Sequence, residues 1–268
     1  CIYCTLSALI SFSIFFIIYK NFYKKRYLLR LDTFSFLYQK ILKPIFFLLD
    51  AEFIHDTMIK TGEILGKTFV KNYFDYKLNY QSKKLRQNKA GINFRGPVGL
   101  AAGFDYNGQL TQVLSSLGFG FQTVGTVTSL SYEGNPLPRL GRLPKSKSLM
   151  VNKGFKNLGS EKISQKLSKL YFEIPLGISI GVSNNKNLID LESSINDIKT
   201  TFSIFEKVEI KNSYYELNIS CPNLINTNVD FYKPINLEKL LNKLKNIHLK
   251  KAVFVKMPID KTNKEYLI

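Results

Sequence analysis

The sequence predicts an α/β fold built on a parallel sheet, and three observations predict it. After Lys89, short apolar runs alternate with longer amphipathic stretches, the pattern of repeated βα units. Each apolar run ends in polar or glycine-rich sequence. One of them, Tyr214, Tyr215, Leu217 and Ile219, stops at Ser220, Cys221, Pro222 and Asn223, which sets reactive groups where a strand gives way to a loop. An α/β barrel keeps its chemistry at that end of its strands.

At 268 residues and 45% hydrophobic, the chain is long enough to bury a full core as one large domain with an appendage. Three cysteines, two of them (Cys1 and Cys4) in an apolar run, make no disulfide framework and point to a reducing compartment. The net charge of +18 would suit an anionic partner. Lysine is nevertheless scattered among Asn, Ile, Tyr and Phe, and no helix-turn-helix or RNA-binding signature accompanies it, so nucleic acid is not an expected partner. No metal-ligand spacing is found.

Cys1 to Tyr19 carries no charge and, as a helix rising ~1.5 Å per residue, would cover most of a ~30 Å bilayer core. Lys20, Lys24, Lys25, Arg26 and Arg30 follow before the first acid, Asp32, which predicts a single-pass anchor with the rest of the chain on the cytoplasmic or equivalent side. A cleaved signal peptide would place its basic cluster on the other flank. Phe34 to Gly66 reads as two short helices with a broad apolar face, broken by Pro44 and restarted at Asp50 as N-cap. That face is larger than a small hairpin needs to dock, and two readings stand equal: part of it meets lipid or a lipid-soluble ligand, or all of it is ordinary helix packing. The expected division is 1–30 anchor and basic flank, 31–76 helical extension and 77–268 barrel, with Lys77 to Lys89 read as a basic linker.

Strands are expected near Val98–Ala102, Phe121–Thr126, Leu176–Ile180, Tyr214–Ile219 and Val253–Met257. The first leads into Ala101-Ala102-Gly103-Phe104-Asp105, where small residues let a flat group lie against the backbone. The second ends at Gly125-Thr126, which offers a hydroxyl. The fifth carries Lys256 inside an apolar run, where a lysine is costly without an anionic partner. In the fourth, Cys221 is a thiol able to take a proton, and Asn218 and Asn223 offer both donors and acceptors to a ring with alternating N–H and C=O groups.

Six blocks, in order, resemble the dihydroorotate dehydrogenases: FRGPVGLAAGFDYNG from Phe94, GFGFQTVGTVT from Gly118, GNPLPRLGRL from Gly134, GFKNLG from Gly154, LNISCPN from Leu217, and VFVKMPID from Val253. LLDAEFIHD, from Leu48, and the anchor resemble the membrane-bound, quinone-reducing class. The resemblance covers Leu37 onward and implies a (β/α)8, or TIM, barrel with FMN over its C-terminal mouth. It implies oxidation of dihydroorotate to orotate in pyrimidine biosynthesis: a base takes a proton from C5, a hydride passes from C6 to the flavin, and a membrane quinone re-oxidises the flavin. Carried over residue by residue, it makes Cys221 the base and sets Ala102, Gly103, Thr126, Ser179, Asn218 and Lys256 around FMN. Tyr106, Asn152, Gly154, Phe155, Asn218 and Asn223 fall at the substrate, and His55 becomes a quinone-site candidate. The implied location is a bacterial inner membrane or the mitochondrial inner membrane.

Four positions depart from that pattern. Cys221 stands where the membrane class has serine and the soluble class cysteine, so a rate rising with pH through one thiol ionisation is expected. Tyr106 replaces the family's substrate-binding lysine. The family's Asn three places before Gly-Phe is Val151, with Asn152 one place late and Lys153 a candidate to supply the missing charge. Ser179 stands for a flavin-contacting Asn. Five strands precede Ile268, so the barrel is expected to be C-terminally truncated here, with the phosphate-cradling turns beyond. Two other readings stay open: a related FMN enzyme with a soluble acceptor or another dihydropyrimidine, and a non-catalytic, membrane-anchored binding module.

Overall fold

The computed structural model describes residues 34–80, 82–225 and 229–258. The expected membrane helix and its basic flank lie outside the described residues, as does the end of the VFVKMPID block. Among the described residues no helix is long and apolar enough to cross a membrane. The chain forms two compact units, one from the described part of residues 1–61 with Pro136–Asn152, the other from Gly62–Asn135 with the described part of 153–268.

In the first unit a π-helical turn, Tyr38–Leu42, runs directly into helix α1, Lys43–Leu48. The break expected at Pro44 instead falls at Leu49, which is extended; the helical backbone of residues 34–48 runs through Pro44, and the π turn just before it marks where the regular hydrogen-bond pattern gives way. Helix α2, Ala51–Leu65, restarts as expected: Asp50 Oδ1 accepts from Phe53 N at 2.8 Å. Leu48 is 86% exposed and Phe36, Ile45 and Phe53 each at least half exposed, so the apolar face of these helices is left open. Strands β5, Leu140–Leu143, and β6, Ser148–Val151, pair as an antiparallel hairpin that the apolar pattern does not announce. Arg139 joins this hairpin region to α2 through Glu52, Nε lying 3.0 Å from Oε2, and Arg142 Nη1 donates to Leu49 O at 2.7 Å.

The second unit is built on a five-stranded sheet, every neighbouring pair parallel. Its strands are β3, Gly99–Leu100; β4, Phe121–Val127; β7, Leu176–Ile180; β8, Tyr214–Asn218; and β9, Ala252–Lys256. They stand in chain order, as sequential βα units demand, and all five expected strands are present. Helices α4, Ser160–Leu167, α5, Leu191–Val208, and α6, Pro234–Lys245, cover one face. On α5 the stripe Ile195, Ile198, Phe202 and Phe205 recurs at helical spacing and meets Leu176, Ile178, Ile180, Tyr215 and Leu217 in one core. Phe202 stands edge-on to Tyr215 at 5.2 Å between ring centres. A capping box opens α5, Asp190 accepting from Ser193 N at 2.7 Å.

Before the sheet, helix α3, Val70–Leu78, and a 3-10 turn, Lys83–Leu85, lead into a small hairpin of β1, Gln87–Lys89, and β2, Ile92–Phe94. The segment read as a basic linker is thus partly ordered. Ala90 and Gly91 both take positive φ at its tip, the backbone a two-residue hairpin turn requires.

Candidate active site

Alternation along β8 sends Tyr215 and Leu217 into the helix-covered core and Tyr214, Glu216 and Asn218 to the other face. Its neighbours place Thr123, Thr126, Ser179 and Lys256 on that second face, and the polar groups link together at the C-terminal ends of the strands. Asn218 Nδ2 donates to Thr126 Oγ1 at 2.7 Å. Thr126 and Ser179 share a hydroxyl–hydroxyl hydrogen bond of 3.0 Å, and Ser179 Oγ donates to Glu216 Oε1 at 2.8 Å. The same carboxylate oxygen lies 4.0 Å from Lys256 Nζ. Lys256 is 31% exposed on a strand that is itself only partly buried, so its place is less costly than an apolar run suggests; the anion near it is Glu216, which nothing in the sequence pattern singles out. Asn218 Oδ1 accepts from Ser220 N at 3.1 Å and Ser220 Oγ at 2.8 Å, which settles which way the amide faces.

The loop after β3 closes onto this group. Gly103 N donates to Gly125 O at 2.7 Å and Gly125 N to Asp105 O at 3.0 Å. Ala102 is buried. Asp105, buried as well, turns its carboxylate onto Gln109 N and Leu110 N, each at 2.8 Å, and so shapes the turn that carries Tyr106. Burial pushes the Asp105 carboxyl above its ordinary value, against those hydrogen bonds. Gly181 has no room for a side chain: a Cβ there would meet the Phe155 ring at 2.7 Å and the Thr126 methyl at 2.9 Å, so Phe155 lies beside Thr126. Phe155 itself holds φ +63, a left-handed backbone that an aromatic residue seldom adopts.

Cys221 follows Ser220 and is partly buried. With Asn218, Ser183, Pro222, Asp230 and Tyr232 it lines a cavity of about 390 Å³. Burial pushes its thiol above the ordinary value, while a hydrogen bond from the Asn223 backbone and the charge of Lys256 act the other way. Asn223 is tied in through its carbonyl, which accepts from Asn135 Nδ2 at 3.0 Å. Asn135 Oδ1 in turn accepts from Asn184 Nδ2 at 3.1 Å, and Asn184 Nδ2 also donates to Gly154 O at 3.1 Å. A Cβ on Gly154 would collide with both amides. Neither Asn135 nor Asn184 stands out in the sequence as a group with a task, although Asn135 lies in the block GNPLPRLGRL.

The positions that depart from the family pattern take definite places. Lys153 is 4% exposed, and its Nζ lies 5.1 Å from the centre of the Tyr106 ring, a cation–π contact. Asn152 is exposed, and its N–H donates to Arg139 O at 2.8 Å within the first unit. Ser179 is fully buried between Thr126 and Glu216. His55, also in the first unit, sets Nδ1 2.9 Å from Asp56 Oδ1. Among the described residues no cluster of His, Cys, Asp or Glu could hold a metal ion.

An amide and an ammonium stand with two hydroxyl groups at the ends of four parallel strands, beside small residues after β3, a polar edge chemically compatible with the ring of FMN. The residues present fit that group, with Ala102, Gly103, Thr126, Ser179, Asn218 and Lys256 the ones able to hold it.

The family profile described as Dihydroorotate dehydrogenase matches residues 84–267. A dihydroorotate dehydrogenase (quinone) of Nostoc sp. is 33% identical over 238 residues, covering 84% of this chain and 61% of the relative. One from Psychrobacter sp. is 34% identical and covers 78% of this chain and 57% of the relative. The crystal structure of DHODH from Eimeria tenella in complex with ferulenol superposes with a TM-score of 0.67 at 25% identity, over 81% of this chain and 61% of that one. The chain therefore spans a little under two thirds of the length of these relatives. Matched over most of its length by the family profile and by quinone-class relatives, the chain belongs to the dihydroorotate dehydrogenase family.

Proposed function

We propose that the protein oxidises dihydroorotate to orotate with FMN and passes the electrons to a membrane quinone. The observation that carries this reading is the Asn218–Thr126–Ser179 chain with Lys256 at the ends of β8, β4, β7 and β9, Cys221 sharing a cavity with Asn218. When bound, FMN supplies the acceptor for the substrate's hydride. The rest falls to this chain's own residues. Cys221 as thiolate takes the C5 proton; its raised thiol pKa keeps it largely protonated near neutrality, so proton removal quickens as pH rises. Asn218 and Asn223 offer amide donors and acceptors to the pyrimidine, and Asn135 and Asn184 hold the loops that carry Asn223 and Gly154. Lys153, over the ring of Tyr106, brings to the substrate carboxylate the positive charge that Tyr106 lacks. Gly154 and Phe155 shape the wall beside Thr126. Of the two candidates in the first unit, Asn152 is assigned to the substrate and His55 to the quinone on the resemblance alone.

The open apolar face of α1 and α2 supports a membrane-associated protein and a lipid-soluble acceptor. Tyr106, standing where the family has lysine, favours as a second reading a related FMN enzyme that uses another dihydropyrimidine or a soluble acceptor. Turnover by the full-length, detergent-purified protein separates them. Electrons from dihydroorotate should reach a quinone far faster than fumarate or NAD, and the reverse order would replace the first reading with the second. Protein that carries no FMN would leave a non-catalytic module.

A further inference from the structure

The chemistry above gives no task to Glu216, a carboxylate on the face of β8 turned away from the helices, whose side chain is 18% exposed. Its position decides more than its own contacts. An ionised carboxylate only accepts hydrogen bonds, so the Ser179 hydroxyl must spend its proton on Glu216. The Ser179 oxygen then accepts from Thr126, and the Thr126 oxygen accepts from Asn218. One negative charge thus sets the direction of both hydroxyls, while Asn218, held by Ser220, donates at the far end, and bonds aligned in this way strengthen one another. The same oxygen faces Lys256 at 4.0 Å and offsets its charge.

We propose that Glu216 is a positioning residue for the cofactor site: it fixes which way the Thr126 and Ser179 hydroxyls point, and so what they present to a bound ring, and it holds the net charge at the Lys256 end of that site near zero. The inference rests on the FMN reading above. Reduction of a bound flavin adds electron density to its ring, so a pocket in which Lys256 is left uncompensated favours the reduced form.

The test is a spectroelectrochemical titration of FMN bound to the full-length protein. Glu216→Gln should favour the reduced over the oxidised form by about tenfold or more, which for a two-electron couple raises the midpoint by about 30 mV. Glu216→Asp, whose carboxylate draws back by one methylene from both Ser179 and Lys256, should move the midpoint part of the way in the same direction. A merely structural carboxylate would lower the thermal midpoint without moving the potential, and that result overturns the proposal. If Glu216→Gln does not fold, Glu216→Asp decides alone: bound FMN with an unmoved potential again overturns it. A parent protein without FMN would end this inference together with the proposed function, whereas bound FMN with an unmoved potential removes only the role of Glu216.

Discussion

A thiol is a useful base only as thiolate, and Cys221 sits where burial opposes that form. The rate of flavin reduction by dihydroorotate is therefore expected to keep climbing beyond pH 9.0, the ordinary value for this thiol, rather than level off near neutrality. Cys221→Ala should lose the climb and about 10²–10⁴-fold in rate. A variant with the same pH profile as the parent would remove Cys221 from the role of base. Lys153 invites a different measurement: Lys153→Met should raise KM for dihydroorotate at least tenfold while FMN stays bound, and an unchanged KM would break the link between this lysine and the substrate carboxylate. Cys221, Asn218 and Lys256 are readable in the sequence because each is a chemically costly residue at the end of an apolar run. Glu216 is not, since its importance depends on which residue of β9 stands beside Asn218, and register between parallel strands leaves no mark in a single sequence. Nor does the sequence reveal that Lys153 reaches Tyr106 from a loop 47 positions later in the chain.

At the scale of elements, the strands of the sheet are legible because they are short apolar runs with polar ends. The hairpin of β1 and β2 is not: all three residues of β1 are exposed, so no alternation betrays it. The hairpin of β5 and β6 hides for a related reason, its residues being mostly half-buried on both faces. Pro44 misleads because a proline can locally loosen a helix without ending it, and here a π turn precedes it in a helix that continues to Leu48. The loop after β3 shows how one element depends on one carboxylate. Asp105 caps Gln109 N and Leu110 N, and an amide side chain offers them a single acceptor oxygen, so Asp105→Asn should destabilise the fold by about 1–3 kcal/mol. The pH dependence has a definite sign. Because the folded-state value of Asp105 is raised, its contribution is fullest below the ordinary Asp value and declines as pH rises through the raised one. The stability gap between parent and Asp105→Asn in urea should therefore narrow with rising pH; a gap that widens would show that the two N–H bonds outweigh burial.

For the whole molecule, the parallel sheet and its helices are foreseeable from pattern, and the family from six ordered blocks. That the apolar face of α1 and α2 stands open is one of two outcomes the sequence allows, whereas the hydrogen-bonded chain across three strands, with Lys256 of a fourth beside it, emerges only when those strands lie side by side. The proposed function requires that this face of the sheet hold FMN and present it to dihydroorotate. The most direct measurement is the visible spectrum of the full-length protein, purified in detergent, before and after dihydroorotate is added without oxygen. A flavin band that bleaches is the predicted result. A flavin band that persists would contradict the assignment of the substrate, and the absence of any flavin band would contradict the site itself.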